Sequence, residues 1–214
     1  MNKLFKKLLN KSQIILLLIC TLLILMFGLY KYLQYHISNS SLSYDNMDIL
    51  NHSYLIESNT LNILANKELK KSYSENLDQD KIDLHINRAI SLLKISLAKQ
   101  PYSPVVWSAI GNLEGMANGH SKKVLEYIIM SLKTSSYNSN LTIYNLKAAL
   151  ALIEDFSPEQ KEVIEKNICN SWILNKNKFR ESFNLTADKN YICLSLKKYC
   201  ASRSKYHVNK YCGQ

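Results

Sequence analysis

Residues 82–133 read IDLHINRAISLLKISLAKQPYSPVVWSAIGNLEGMANGHSKKVLEYIIMSLK, and this stretch decides the fold. Ile82, Ile86, Ala89, Ile90, Leu93, Ser96 and Leu97 recur three or four residues apart, the spacing that gathers side chains on one helical face. Pro101 stops that run. Ser103 before Pro104 predicts the cap and first residue of a second helix, with Tyr102 placed to staple against Trp107. Gly119 offers a left-handed terminator, and Ser121 caps a third helix over Lys122–Lys133. Beyond the polar stretch SSYNSN the pattern resumes over Leu141–Ile153. Ser157-Pro158-Glu159-Gln160 then combines a cap, an N1 proline and a capping-box glutamine for a helix through Trp172. Shorter helices are expected over Lys176–Asn184 and Lys189–Cys200. No alternating pattern competes, and 214 residues with five Gly and three Pro leave little turn chemistry for β-structure. The fold class is all-α.

The spacing also carries a repeat. Ala89, Leu93, Ser96 and Pro101 are spaced like the second helix of a tetratricopeptide (TPR) unit, and Trp107, Ile110 and Gly111 like the start of the next. Val124, Ile128 and Ser131 reproduce the Ala89, Leu93, Ser96 series 35 residues on. Small residues such as Ala89 and Gly111 let helices approach. Glu114 stands where an aromatic is usual. Residues 80–200 are therefore expected to form a TPR-like helical array. Gly111, Gly115 and Gly119 form a doubled GxxxG, but polar neighbours (Asn112, Glu114, Asn118) assign it to soluble helix packing rather than membrane dimerisation.

Ile14 to Tyr30 reads IILLLICTLLILMFGLY without a charge, about 25 Å of helix and close to the thickness of a bilayer core. Lys3, Lys6, Lys7 and Lys11 precede it, so the positive-inside rule makes residues 1–13 a cytoplasmic basic tip, 14–35 a transmembrane anchor, and the remainder extracytoplasmic. Ser38-Asn39-Ser40, the best signal-cleavage candidate, lies too far beyond the apolar run. Residues 38–79 are rich in Ser and Asn and read as a polar linker or a loosely helical segment, with Ile49, Leu50, Tyr54, Leu55, Leu61, Leu64 and Ala65 as scattered apolar positions. The net charge of +10 divides into +5 over residues 1–35, −2 over 36–160 and +7 over 161–214. A near-neutral middle argues against nucleic acid as a partner.

Catalytic motifs are lacking: the chain has no P-loop, GxGxxG, HExxH, CxxC or GxSxG. His36, His52, His85, His120 and His207 are scattered. Asp78, Asp80 and Asp83 sit at a helix start, where acids suit the dipole, and Glu154 with Asp155 ends a helix. No catalytic residue, metal or cofactor is expected. Cys169, Cys193, Cys200 and Cys212 are separated by 23, 6 and 11 residues, which matches no standard zinc module. In an oxidising compartment they can form two disulfides. Cys193 and Cys200 would stand about 10 Å apart on one helix, too far to bond. Either is expected to pair with Cys169 or Cys212. A bond at Cys212 would tie down residues 201–214, a basic tail in which Lys197, Lys198, Arg203, Lys205 and Lys210 alternate with Tyr199, Tyr206 and Tyr211. An anionic glycan or lipid headgroup suits that composition outside the cell.

Residues 80–200, with "SLAKQP", "SPVVWSAIGNLEG", "TSSYNSNLTIYNLKAAL", "FSPEQKEVIEKNICNSW" and "YICLSLKKYC", resemble small membrane-anchored TPR-like proteins of bacterial extracellular-polysaccharide and O-antigen biosynthesis. The resemblance implies a non-enzymatic scaffold in the bacterial inner membrane, with envelope proteins as partners. Secretion-system or cytochrome-maturation assembly, and glycan binding, are the alternatives. Trp107, Asn112, Tyr144 and Lys147 are the candidate partner-binding residues of a concave surface.

Overall fold

The computed structural model describes residues 2–39, 56–73, 77–119, 121–135, 139–184 and 188–213. Helix α1 (Asn2–Asn39) contains, over Ile15–Ile37, a stretch long and apolar enough to cross a membrane, and its most apolar 18 residues are not buried by the rest of the protein. Among the described residues eight helices follow: α2 (Ser58–Ser72), α3 (Gln79–Lys99), α4 (Pro104–Asn118), α5 (Lys122–Thr134), α6 (Ser139–Ala151), α7 (Pro158–Leu174), α8 (Lys176–Phe183) and α9 (Lys189–Cys212). A 3-10 turn (Ile153–Asp155) separates α6 from α7, and no strand occurs among the described residues.

The caps show why the helices begin where they do. Asp78 accepts the Lys81 N–H at 3.0 Å to open α3, and Ser121 accepts the Val124 N–H at 3.4 Å to open α5. At α7 the Ser157 N–H donates to Gln160 Oε1 at 2.9 Å while the Gln160 N–H donates to Ser157 Oγ at 3.3 Å. A reciprocal cap of this kind is worth about 1 kcal/mol. Gly119 ends α4 at a φ of 67°, a value glycine tolerates at no steric cost.

Two local expectations differ at α4. The Ser103 side chain makes no cap bond, and Tyr102 is 83% exposed, so it staples nothing. The Trp107 indole N–H donates instead to the Pro101 carbonyl at 2.7 Å, and its ring packs on Tyr127 of α5 at 5.8 Å between centroids. Helix α6 also ends earlier than Ile153, because the 3-10 turn carries Phe156 into the core.

Each helix packs on its neighbours in sequence. Helix α2 packs on α3, α3 on α4, α4 on α5, α5 on α6 and α6 on α7, with further contacts of α5 on α7 and α9 on α7. Two apolar cores result. One runs from Ile56 to Leu113 within α2, α3 and α4. The other runs from Val124 to Tyr211 within α5 to α9.

Two serines 35 positions apart do the same work. Ser96 of α3 bonds the Ser58 hydroxyl at 2.5 Å, and Ser131 of α5 donates to the Pro104 carbonyl at 2.7 Å. Each ties the body of one helix to the first residue of the helix before it.

Gly111 of α4 lies where α5 comes closest. A Cβ there would stand 3.1 Å from Tyr127 Cβ, whereas at Gly115 the nearest atom would be at an ordinary 3.9 Å. Gly111→Val should therefore destabilise the protein by about 1–3 kcal/mol through overpacking. Gly115→Ala should stabilise by up to about 1 kcal/mol through helix propensity. Urea unfolding followed by circular dichroism checks both; equal shifts for the two would contradict the close approach at Gly111.

The segment 38–79 is in part a packed element. Residues 40–55, with Ile49, Leu50, Tyr54, Leu55 and His52, lie outside the described residues, as do His120 and the Ser136–Asn138 part of the polar stretch. Helix α2, however, buries Leu61, Leu64 and Ala65 against α3. It also meets α1. Gln34 is only 6% exposed, and its Oε1 accepts from the Thr60 hydroxyl at 2.8 Å and the Glu57 N–H at 3.3 Å. Lys31 pairs with Glu57 at 2.6 Å, and Ile37 packs on the first core.

The C-terminal helix, expected over Lys189–Cys200, runs further, and the bond expected at Cys212 is present. Helical backbone continues from Lys189 to Cys212, where Gly213 terminates it in the left-handed conformation. A straight helix would separate residues 193 and 212 by about 28 Å. Their Cα atoms stand 5.8 Å apart across a disulfide, so α9 doubles back as two limbs. The returning limb buries Val208 and Tyr211, and the Tyr211 hydroxyl donates to the Phe183 carbonyl at 3.1 Å.

Candidate functional site

A groove of about 360 Å³ opens between α2 and α4, with Leu93 of α3 in its lining and Tyr144 of α6 at its edge. From α2 come Asn62, Ala65, Asn66, Leu69 and Tyr73, at spacings of three and four that share one helical face. From α4 come Val105, Ala109, Asn112, Leu113 and Met116, again on one face. Val105, Met116, Tyr73 and Tyr144 are exposed, although each carries a large apolar surface. Among the described residues no charged side chain lines the groove.

Its polar groups are amides. Asn62 Oδ1 is buried without a hydrogen-bond partner. An amide side chain offers both a donor and an acceptor, which is what an extended peptide backbone presents in return. A buried acceptor with no partner costs free energy until a donor reaches it.

The structure brings together two of the four residues expected to bind a partner. Asn112 and Tyr144 line the groove. Trp107 does not; it points toward α5, held by the Pro101 and Tyr127 contacts. Lys147 is exposed on α6 one turn from Tyr144, outside the lining. Asn62, Asn66, Leu69 and Tyr73 are not among the expected residues, because the segment 38–79 reads as a polar linker or at most a loosely helical stretch. The signal was present in the four-residue spacing of Asn62 and Asn66 beside buried Leu61, Leu64 and Ala65.

Behind the groove sit two buried acids. Glu114 accepts from Lys94 at 2.8 Å and from Asn118 at 2.9 Å. Burial pushes its carboxyl up, but these partners outweigh burial and hold it below the usual value. An ion pair thus joins α3 and α4 at Glu114. Glu68 of α2 is gripped by Lys71 at 2.5 Å and His85 of α3 at 2.8 Å. Burial raises its carboxyl, and the hydrogen bonds from Lys71 and His85 lower it further than burial raises it. A depressed folded value gives stability that is present above the unfolded value and lost as pH falls through the folded one. The stability gap between wild type and Glu68→Gln should therefore be full above about pH 4.5 and close below it. Urea midpoints from pH 3 to 7 test this; a gap independent of pH would contradict it.

The remaining candidates have structural partners. Asp78 caps α3 and pairs with Lys81, Asp83 accepts from Gln79 at 2.8 Å, and Glu154 pairs with Lys161 at 3.7 Å. His36 bonds the Tyr32 hydroxyl at 2.7 Å. Among the described residues no three His, Cys, Asp or Glu side chains gather. Cys169 pairs with Cys200 and Cys193 with Cys212. In the basic stretch, Lys198 pairs with Glu165 at 2.8 Å, while burial and Glu165 push Tyr191 beside it up to about 12. Lys205 and Lys210 are exposed.

Among the described residues, the protein is all-helical, with one helix long and apolar enough to cross a membrane, two disulfides and an uncharged, amide-bearing groove. No protein family, curated protein or solved structure matches this chain.

Proposed function

We propose that the chain is a non-enzymatic, membrane-anchored scaffold of cell-envelope polysaccharide assembly or export, whose α2–α4 groove holds an extended, uncharged segment of an envelope protein. The observation that carries this reading is the groove: apolar walls, three asparagines and one orphaned buried acceptor at Asn62. Apolar side chains of the guest would fill the walls while its backbone meets the amides. The TPR-like character finds support in the matched Ser96 and Ser131 ties and in the close α4–α5 approach at Gly111. The topology draws on the basic N-terminal tip, the apolar α1 and the disulfides, which persist in oxidising compartments. The domain then lies outside the bacterial inner membrane. The pathway rests on the resemblance over residues 80–200.

Site-specific photo-crosslinking in the native membrane tests the proposal. A crosslinker at Asn112 or Tyr144 should capture a polysaccharide-assembly protein, and one at Trp107 or Lys147 should capture it far less. Equal capture at all four positions would overturn the groove. Capture of secretion or cytochrome-maturation components from the groove would overturn the pathway alone.

A further inference from the structure

We propose that the Cys193–Cys212 disulfide is a thiol-exchange site selective for anionic thiols, whereas Cys169–Cys200 is a static cross-link. The two bonds differ first in access. Cys169 is 6% exposed and Cys200 not at all. Cys193 and Cys212 are half-buried and line an open pocket of about 490 Å³. Among the described residues the rest of the lining is Lys189, Asn190, Leu194 and Lys197, with no carboxylate.

The second difference is charge. Lys189 and Lys197 stand four residues before and four after Cys193, on its own helical face. Lys189 also lies over the Tyr211 ring, 5.6 Å from its centroid, beside Cys212. Exchange begins when a thiolate attacks one sulfur and expels the other as a thiolate. Two ammonium groups draw an anionic thiol into the pocket and favour a departing thiolate between them. The leaving group is therefore Cys193, and the attacked atom is Cys212 Sγ. The Cys193–Cys212 bond breaks, a mixed disulfide forms on Cys212, and Cys193 takes up a proton. A second thiol of the same class attacks the mixed disulfide, leaves as the oxidised reagent and returns Cys212 as a thiol. Two electrons and two protons pass from two thiols to the protein.

What opens is the loop of the α9 hairpin and not its seat. Val208, the Tyr211 ring on Trp172 and the Tyr211 bond to Phe183 still hold the returning limb. The chemistry is independent of which guest fills the groove.

The test treats the full chain in detergent, Cys20 blocked beforehand, with glutathione (anionic) and cysteamine (cationic) at equal thiolate concentration. Freed thiols are alkylated and assigned by mass spectrometry. Cys193 and Cys212 should be freed at least tenfold faster than Cys169 and Cys200. The glutathione-to-cysteamine rate ratio should fall severalfold in a Lys189→Gln, Lys197→Gln variant. In the wild-type protein it should fall likewise when salt is raised from 20 mM to 0.5 M. Equal rates for the two disulfides, or a ratio that neither substitution nor salt moves, would overturn the proposal. The salt series needs no variant to fold.

Discussion

Replacing Trp172 by Ala is expected to destabilise the protein by about 3–5 kcal/mol, the range for emptying a large aromatic from a closed core. Trp172 is 2% exposed and joins three elements. Its ring meets Phe179 of α8 edge-on at 5.7 Å and Tyr211 of the returning limb of α9 at 5.1 Å, while Lys176 lies 5.8 Å above it. Aromatic pairs in such geometry add about 0.5–1.5 kcal/mol each beyond burial. Truncation would therefore loosen α8 and the end of α9 together. The indole N–H finds no hydrogen-bond partner in its buried site. Trp172→Phe keeps most of the ring and removes an unpaired donor, so it should cost less than half as much as the alanine. Urea unfolding by circular dichroism measures both. A Phe variant as unstable as the Ala variant would show that the indole N–H is satisfied after all.

The second large effect is expected from Cys169→Ala with Cys200→Ala. The pair closes a separation of 31 residues and ties α7 to α9 inside the second core. By loop-closure entropy the cross-link is worth about 3–4 kcal/mol, since the reduced chain has more unfolded states to occupy. Loss of the bond should lower the unfolding free energy by that amount and, because the freed unfolded chain exposes more surface, should not reduce the slope of the urea transition. A shift below about 1 kcal/mol would mean that α7 and α9 are already held in the unfolded chain or do not need the bond.

The sequence states some of this plainly and hides the rest for physical reasons. Caps are local, so Ser121, the Ser157–Gln160 box and Gly119 could be read from a few residues each. The apolar run of α1 needs only counting. Helix α2 reads only as a loosely helical alternative to a linker because it buries Ser58, Thr60, Glu68 and Ser72 beside its leucines, so hydrophobicity alone reports a weak period. Ser58, Thr60 and Glu68 find partners on α3 and α1, far off in sequence, and Ser72 donates to the Leu69 carbonyl. A bond at Cys212 was legible, but the length of α9 and its return to Cys193 are tertiary facts. Cysteine geometry excluded one pairing and left the others open, and the structure selects one of them. At the groove, Asn112 and Tyr144 were legible from helical phase. Trp107 was not, because the small Gly111 one turn away brings Tyr127 close enough to claim the indole.

The Gln34 joint has a mechanical consequence. Gln34 stands four residues, about 6 Å of helix, beyond Tyr30, where the uncharged run ends. There α1 engages α2 directly, through a buried amide and an ion pair. Those contacts leave no swivel at that point, so rotation of α1 about its own axis turns α2 with it. Under the proposed topology the joint falls at the headgroup layer. The groove would then keep one inclination to the lipid, and lateral orientation would join shape and polarity as a condition for capturing the proposed guest.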